Sequence, residues 1–425
     1  MQYQSLKGFN DILPGDSEIW LWLEGEIRVV MRLYGFAEVR LPIVESTDLF
    51  RRGIGEGTDV VGKEMYSFED KGVPPESLTL RPELTASAAR AFVEHGVGQV
   101  STLTRWYYIG PAFRYEQPQA GRYRQFYTFG IELIGSGFPE SDVEAIAIGA
   151  DLLKRIGLER YRLRLNSIGT SEERAEYRTA LLEFLETRRD QLSEDSVRRM
   201  GANPLRVLDS KKREDIAATA DAPSILDFLG DESREHFATV RALLDANGIE
   251  YTIDTRLVRG LDYYSRTAFE FQGLDLGAQD ALIGGGRYDG LIEQVGGKPT
   301  PAIGFGMGLE RIILALKTAG RLPQIAPETD VYVIGLDDAS RRWATSIVHQ
   351  IRAAGLSAEH DLLRRSMKAQ MREANRRGAK LVVIAGENEL AAQEAQVKNM
   401  QGGGQETVAF GGLVDDLVEM SKVRG

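Results

Sequence analysis

The stretch FRYEQPQAGRYRQFYTFGIE, residues 113–132, gives the clearest indication of the fold. An apolar run, TLTRWYYIGPAFRYE, leads into a polar loop, and a second apolar run returns from it. This pattern predicts an antiparallel hairpin. Its charged and aromatic positions are Arg114, Glu116, Arg122, Phe126 and Glu132. Either the charges are solvated at a sheet edge, or the arginines hold a polyphosphate while Phe126 stacks on a base.

The composition limits the class of protein. A chain of 425 residues predicts two or three domains, and its 43% hydrophobic residues exclude wholesale disorder. The sequence has neither an apolar run of membrane-spanning length nor a signal-peptide pattern, so we expect no membrane association and a cytoplasmic location. Because there is no cysteine, thiol nucleophiles, disulfides and thiolate metal sites are excluded.

The histidines do not indicate a catalytic or metal site. They are scattered, and no pair has the spacing of metal ligands: His95, His236, His349 and His360. A G-x-S-x-G motif is also absent, so a serine hydrolase has no support. We therefore expect the chemistry to depend on Arg, Glu, Tyr and backbone groups. The net charge of −11 argues against a generally basic surface but leaves room for a local basic track.

The domain organisation follows from changes in periodicity. Strand-like runs dominate to about residue 168, and a capping box from Thr170 to Glu173 then starts a helical region that closes at Asn247-Gly248. Strand signals return after it. This predicts a domain at 1–320 with a helical insertion at about 170–248. A proline-containing linker at 321–329 leads to alternating strands and helices at 330–425, which predict a small α/β domain with a mostly parallel sheet.

Three other stretches carry charged or glycine-rich patterns. FAEVRLPIV (36–44) and LVRGLDYYSRTAFEF (257–271) each predict a strand, and the second contains so many charged residues and tyrosines that it either lines a core or holds a charged ligand. GFGMGLERI (304–312) predicts either a glycine-rich phosphate loop before a helix or a tight turn without a ligand. Arg311, near the start of that helix, favours phosphate binding.

In order and spacing, FAEVRLPIV, FRYE…RYRQF…E and GFGMGLER resemble the three signature motifs of class II aminoacyl-tRNA synthetases. LVRGLDYYSRTAFEF followed by GGGRYDGL (284–291) resembles the pair of motifs particular to the histidyl-tRNA synthetase family, and TLRPELTA (79–86) and NPLRVLDSK (203–211) are also similar to that family. The resemblance covers the whole chain. It implies an α+β fold, with a class II antiparallel-sheet catalytic domain that carries a helical insertion and a C-terminal α/β domain similar to the family's anticodon-binding domain.

The resemblance implies a two-step reaction. The carboxylate of L-histidine attacks the α-phosphorus of ATP, which gives histidyl-adenylate and pyrophosphate, and the acyl group then passes to the 3′-terminal ribose of tRNA-His. This nucleophile is already ionised, so the step needs positioning and positive charge rather than a catalytic triad. Mg²⁺ is expected on the pyrophosphate. A homodimer is implied through the helix after Asp16 and the strand to Pro42.

Carried over by position, the resemblance also implies residue roles. The catalytic residues are Arg259, Arg114 and Arg311. The residues for histidine are Glu83, Thr85, Arg114, Thr128, Glu132, Arg259, Tyr263 and Tyr264. The residues for ATP are Arg114, Glu116, Arg122, Phe126 and Arg311. Three positions depart from the family pattern. Leu84 stands where the family usually has Gly, Gln117 replaces a common Arg, and Thr128 replaces a common Gln.

Two alternatives remain beside the ligase. The family has a non-catalytic relative that regulates ATP phosphoribosyltransferase in histidine biosynthesis; it lacks the C-terminal domain, which this chain has, and here the arginines Arg259, Arg114 and Arg311 are retained. A nucleotide-binding oxidoreductase is disfavoured because there is no dinucleotide fingerprint.

A basic stripe is predicted in the C-terminal domain. Arg364, Lys368 and Arg372 recur every four positions, with Arg365 and Arg376 flanking them, on what the pattern predicts to be one helix. Such a stripe is either a solvated face or, given the resemblance, a contact for tRNA phosphates.

Overall fold

The computed structural model describes residues 3–55, 58, 60–118, 121–258, 261–276, 280–325 and 328–422. The chain forms two compact units, Met1–Pro323 and Gln324–Gly425.

The first unit begins with mixed helices and strands. In chain order these are α1 (Ser17–Leu33), β1 (Ala37–Glu38), β2 (Val44–Ser46), α2 (Thr47–Ile54), β3 (Tyr66–Glu69), β4 (Ser77–Leu80), α3 (Thr85–Glu94), α4 (Val97–Val100), β5 (Thr104–Phe113), β6 (Gln125–Ile134), α5 (Pro139–Arg155) and β7 (Tyr161–Ser167). A helical block follows, with α6 (Ser171–Glu186), α7 (Glu194–Ala202), α8 (Leu205–Leu208), α9 (Arg213–Ala218) and α10 (Asp231–Ala246). The unit closes with β8 (Thr252–Ile253), β9 (Ser265–Gly273), β10 (Ala281–Arg287), α11 (Leu291–Gln294), β11 (Ala302–Gly308) and α12 (Leu309–Thr318).

An eight-stranded sheet organises the first unit in the order β1-β5-β6-β11-β10-β9-β7-β8. The pairs from β5 to β7 are antiparallel, and only the end pairs β1–β5 and β7–β8 are parallel. The predicted hairpin is present, since β5 and β6 pair from Phe113 opposite Gln125 to Thr104 opposite Ile134. A separate three-stranded sheet has the order β2-β4-β3. The largely antiparallel sheet expected from the sequence is present.

The helical insertion leaves the sheet after β7 and returns before β8. The Thr170 side chain accepts a hydrogen bond from the backbone N–H of Glu173, whose own side chain accepts from the Thr170 N–H, so the predicted capping box starts α6. Apolar residues on one face of α6 pack into a core of the insertion's own: Tyr177, Leu181, Leu185, Met200, Val207 and Leu208. Local capping and periodicity therefore predicted this part of the fold correctly.

The prediction of single strands for two stretches was wrong in part. FAEVRLPIV is divided between β1 and β2, which lie in different sheets. The carbonyls of Leu41 and Pro42 between them accept hydrogen bonds from Arg81 Nη1 at 2.7 and 3.0 Å instead of joining a ladder. In LVRGLDYYSRTAFEF the strand begins only at Ser265, because the carbonyls of Leu257 and Tyr264 likewise bind side chains.

The glycine-rich stretch GFGMG is not a loop. It forms most of β11 and pairs with β6 on one side and β10 on the other. Glycine is required at position 304, where a Cβ would lie 2.2 Å from Glu132 Oε2 and 2.3 Å from the carbonyl oxygen of Ile131. The glycine there allows neighbouring strands and a buried carboxylate to pack closely. Neither the phosphate loop nor the tight turn that the sequence allowed is therefore present at GFGMG.

The second unit contains β12 (Thr329–Gly335), α13 (Asp338–Ala353), β13 (Ala358–His360), α14 (Met367–Arg376), β14 (Ala379–Ala385), α15 (Glu387–Ala392), β15 (Glu394–Asn399), β16 (Gln405–Ala409) and α16 (Leu413–Lys422). Its sheet has the order β13-β12-β14-β15-β16. The first three strands are parallel, as expected, and the last two extend the sheet in antiparallel pairs.

The basic stripe lies only partly on a helix. Lys368 and Arg372 are exposed on α14, but Arg364 precedes the helix and has a positive φ of 54°. The left-handed turn there therefore breaks the predicted four-residue repeat. Separately, none of the helices in the described ranges combines the length and apolar character needed to span a membrane.

Candidate active site

A cavity of about 390 Å³ opens beside strands β6, β10 and β11 of the first unit. Most of the residues predicted to bind histidine or ATP line it: Glu83, Thr85, Arg114, Glu116, Arg122, Phe126, Thr128, Tyr263, Tyr264 and Arg311. They come from stretches that are as far apart in the sequence as Glu83 and Arg311. Of the other predicted residues, Glu132 is buried and does not line the cavity, and Arg259 lies outside the described residues.

Three arginines place positive charge around this cavity. Arg114 is anchored by a hydrogen bond from Nε to the carbonyl of Pro82 (2.8 Å), and Arg311 by one from Nη1 to the carbonyl of Ala281 (2.9 Å). Burial lowers the pKa of Arg311, and the nearby charge of Arg122 lowers it further. Burial also lowers the pKa of Arg122; the charge of Glu64 opposes this shift, whereas that of Arg114 adds to it. A bound polyanion would relieve the repulsion within this cluster.

An aromatic ring lies next to the arginines. The guanidinium of Arg114 lies 5.5 Å from the ring centroid of Phe126 on β6, and Arg122 forms an ion pair with Glu116 across the loop of the hairpin. The side of the cavity formed by the hairpin thus combines an aromatic face, a carboxylate and cations. This combination suits a nucleotide, whose base stacks and whose phosphates are anionic.

The Glu83 carboxylate lies at the N-terminus of α3. Its two oxygens accept hydrogen bonds from the backbone N–H groups of Thr85 (2.5 Å) and Ala86 (2.8 Å). Burial raises the pKa of Glu83, whereas these backbone hydrogen bonds lower it. The helix N-terminus therefore holds a buried carboxylate at the cavity wall, and its remaining lone pairs can accept from a cationic ligand group.

Leu84, one of the departures from the family pattern, fits this loop without strain. Its φ is −113°, so the position does not require glycine. The side chain is buried in a small cluster with Ala88, Tyr108 and Ala112. The leucine therefore adds packing behind Glu83 and Thr85.

Glu132 binds two tyrosines that were not predicted from the sequence. Tyr108 donates to Oε1 at 2.8 Å and Tyr288 donates to Oε2. Burial raises the pKa of Glu132 to about 8, although both hydrogen bonds act in the opposite direction. A glycine provides the space for Tyr108, because a Cβ at Gly130, its partner on β6, would lie 2.5 Å from the Tyr108 hydroxyl. In the sequence, the signal for this arrangement was Gly130, a glycine that pairs with an aromatic residue in the predicted hairpin.

Two further tyrosines line the same cavity. Tyr263 and Tyr264 are buried, and their ring centroids lie 4.7 Å apart. Burial raises the pKa of Tyr263 strongly, and the neighbouring groups of Tyr264, Glu83 and Glu132 raise it further. Thr128 lines the same cavity, with its hydroxyl directed to the carbonyl of Met307 (3.3 Å).

Comparisons with known proteins identify the family of the chain. The family model described as histidyl-tRNA synthetase matches residues 8–312. The chain belongs to the histidyl-tRNA synthetase family. A model described as an anticodon binding domain matches residues 330–420. The family and the fold predicted from the sequence motifs are thereby confirmed.

Individual relatives match over nearly the whole chain. A histidine–tRNA ligase of Halothermothrix orenii is 47% identical over 421 residues, which covers 99% of this chain and 100% of the relative. The crystal structure of apo Staphylococcus aureus histidyl-tRNA synthetase is 37% identical with a TM-score of 0.82, and covers 98% of this chain and 100% of its own. A Bacillus halodurans protein titled ATP phosphoribosyltransferase regulatory subunit/histidyl-tRNA synthetase shares the fold, with a TM-score of 0.65 at 22% identity, over 91% of this chain and 99% of its own.

Proposed function

We propose that the chain is a histidine–tRNA ligase that activates L-histidine with ATP and transfers the histidyl group to the 3′ end of tRNA-His. The observation that carries the proposal is the arrangement of Arg114, Arg122 and Arg311 beside a pocket of carboxylates and phenols. One end of the cavity suits a triphosphate. The other end suits a small cationic and imidazole-bearing amino acid.

At the nucleotide end, Arg114 and Arg311 bind the phosphates, while Glu116, Arg122 and Phe126 hold the adenine end. Fixed guanidinium groups stabilise the charge that develops when the histidine carboxylate attacks the α-phosphorus. Mg²⁺ fits as part of the ATP complex, since this ion keeps several waters and is held largely through substrate phosphates. When bound with ATP, it would neutralise part of the charge of the departing pyrophosphate.

At the amino-acid end, Glu83 and Thr85 take the α-ammonium group, and Thr128 lies beside it. Glu132 and Tyr264, with Tyr263 next to them, read the imidazole, because a carboxylate and a phenol can pair with both ring nitrogens. Tyr108 and Tyr288 hold the Glu132 carboxylate in place. Arg259 acts on the α-phosphate and the histidine carboxylate, a role that rests on its place in the sequence motif.

The proposal also covers binding of tRNA and association of two subunits. Lys368 and Arg372, with Arg364 before the helix, contact the phosphates of tRNA-His through the second unit. The enzyme is a homodimer of the cytoplasm, in which α1 and the chain to Pro42 form the subunit contact, as in the motif that they resemble. A monomer by light scattering at micromolar concentration, still fully active, would contradict the dimer.

ATP–pyrophosphate exchange with each amino acid in turn tests the activity. Exchange should depend on histidine and on Mg²⁺, with other amino acids near background. Robust exchange with a different amino acid would contradict the proposal. Folded protein without histidine-dependent exchange would instead favour the regulatory role in histidine biosynthesis, for which the described geometry offers no specific support.

A further inference from the structure

The segment that carries Tyr263 and Tyr264 into the cavity is held by the helical insertion. It is named here the tyrosine segment and comprises residues 256–258 and 261–264. It follows the short strand β8 and precedes β9. Its backbone is not part of the sheet ladder, so hydrogen bonds and side-chain contacts outside the ladder must hold it in position.

The first part of the tyrosine segment is anchored in the insertion by Arg256. Its guanidinium donates to the carbonyl and hydroxyl of Thr219, at 3.1 and 2.8 Å, and to the carbonyl of Leu208 at 3.1 Å. Both acceptor residues are buried. Two residues further on, Val258 packs against the apolar core of the insertion. Val258 and Leu261 are the nearest described residues on either side of Arg259 and Gly260.

The second part is held from two sides. On the insertion side, Arg174 of α6 donates from Nη1 to the carbonyl of Tyr264, and Asn203 Nδ2 donates to Asp262 Oδ1 at 3.4 Å. On the opposite side, the Asp262 N–H donates to the carbonyl of Ile54 at 3.1 Å, and the Asp262 carboxylate packs against Gly55, where a Cβ would lie 2.6 Å from Oδ2.

The charges agree with this arrangement. Burial raises the pKa of Asp262, and three arginines of the insertion oppose that rise, in the order Arg206, Arg174 and Arg178. The motif NPLRVLDSK (203–211), which has no contact with the cavity, supplies Asn203, Arg206 and the carbonyl of Leu208 to these interactions. These contacts give the motif a structural role, although none of its residues lines the cavity.

We propose that the helical insertion is a positioning element for histidine activation, and that Arg174 and Arg256 are its positioning residues. They act through the backbone of the tyrosine segment, not by touching substrate. The inference rests on the proposed function, because histidine is the ligand that Tyr263 and Tyr264 read. The inference also implies the reverse coupling. If contact with the insertion strengthens histidine binding, bound histidine must strengthen that contact by the same free energy.

Histidine-dependent ATP–pyrophosphate exchange without tRNA tests the role of Arg174. In Arg174→Ala, the KM for histidine should rise at least tenfold while the KM for ATP stays within twofold of the wild-type value. Arg174→Lys should restore part of the loss, because an ammonium can still donate to the Tyr264 carbonyl. Arg198→Ala is the matched control, as Arg198 is an exposed arginine of the same insertion that pairs with Asp195.

A purely structural role for Arg174 would give a different result. It would lower the fraction of active molecules, measured by active-site titration, and leave both KM values unchanged in the remainder; that outcome would overturn the inference. Wild-type protein without any histidine-dependent exchange would instead overturn the proposed function.

Hydrogen exchange on the wild-type protein provides a readout that needs neither a variant nor turnover. Addition of histidine should slow amide exchange in α6 and in the segment 203–208, and the effect should be lost in Arg174→Ala if that variant folds. Unchanged protection of these segments in wild-type protein saturated with histidine would show that the insertion is not coupled to the tyrosine segment.

Discussion

The Tyr108 hydroxyl donates a 2.8 Å hydrogen bond to the Glu132 carboxylate, which is almost completely buried. Tyr288 donates to the second oxygen, yet burial still raises the pKa of Glu132 to about 8. The free protein therefore favours the protonated carboxyl near neutral pH. In the proposed complex, the imidazole of the bound histidine would pair with this carboxyl and so shift its pKa.

The raised pKa of Glu132 predicts that the stability of the protein depends on pH. Because the folded-state pKa of Glu132 is above its ordinary value of 4.5, its contribution to stability is fully present below about pH 4.5 and is lost as pH rises through 8. A pKa that differs by one between the folded and unfolded states changes the free energy of unfolding by about 1.4 kcal/mol. Glu132→Gln removes the titration, so the melting temperature of the variant relative to wild type should increase from pH 5 to pH 9. A constant difference across this range would contradict the raised pKa.

Removal of one arginine from the cluster around the cavity should slow adenylate formation. Arg311→Ala removes a charge that borders the phosphate end of the cavity, and we expect kcat/KM for ATP in pyrophosphate exchange to fall about a hundredfold, or on the order of 3 kcal/mol. Lys317→Ala is a suitable control, because it removes a positive charge from the same helix at a position that does not line the cavity. Equal effects of the two changes would mean that net charge, and not the position of Arg311, matters.

Two glycines of β11 should respond differently to alanine. A Cβ at Gly306 would have Thr128 Oγ1 as its nearest neighbour, at 3.8 Å, and would project into the cavity. Gly306→Ala should therefore keep the melting temperature and lower exchange at least tenfold. A Cβ at Gly304 would lie 2.2 Å from Glu132 Oε2, so Gly304→Ala should lower the melting temperature by several degrees. A stable, active Gly304→Ala protein would contradict this distinction.

The basic residues of the second unit should affect tRNA binding and leave histidine activation unchanged. Reversing Arg364, Lys368 and Arg372 to glutamate should weaken tRNA affinity, reduce its dependence on salt and preserve histidine-dependent exchange. Arg372→Glu can be compared with Arg342→Glu, which makes the same change of charge at an exposed residue of α13. Unchanged tRNA affinity in the folded triple variant would show that this surface is only solvated.

Local signals in the sequence were sufficient for part of the fold. The capping box at Thr170 and the apolar face of α6 depend on residues three or four positions apart, and the structure has both. The hairpin was also predictable, because two apolar runs flank one polar loop. Most of the residues that the sequence motifs assigned to histidine or ATP also line the cavity, since motif order reflects the fold of the whole family.

Features that depend on distant residues were not predictable. The role of Gly304 depends on Glu132 in the neighbouring strand, so a glycine run that indicated a loop proved to be a strand. The hydrogen bond from Tyr288 to Glu132 joins residues 156 positions apart. Arg364 was misplaced for a different reason, because a single left-handed residue before α14 ends the periodicity that the spacing of basic residues suggested.

The position of Glu83 just before the first turn of α3 has a practical consequence for handling the protein. The same carboxylate holds two backbone N–H groups and faces the cavity, so a ligand that binds there also favours the ordered form of the helix. A compound that binds only native protein protects it from unfolding to a degree that grows with its concentration. Free histidine in the culture and lysis buffers should therefore act as a chemical chaperone, and raise the soluble yield of variants weakened around α3.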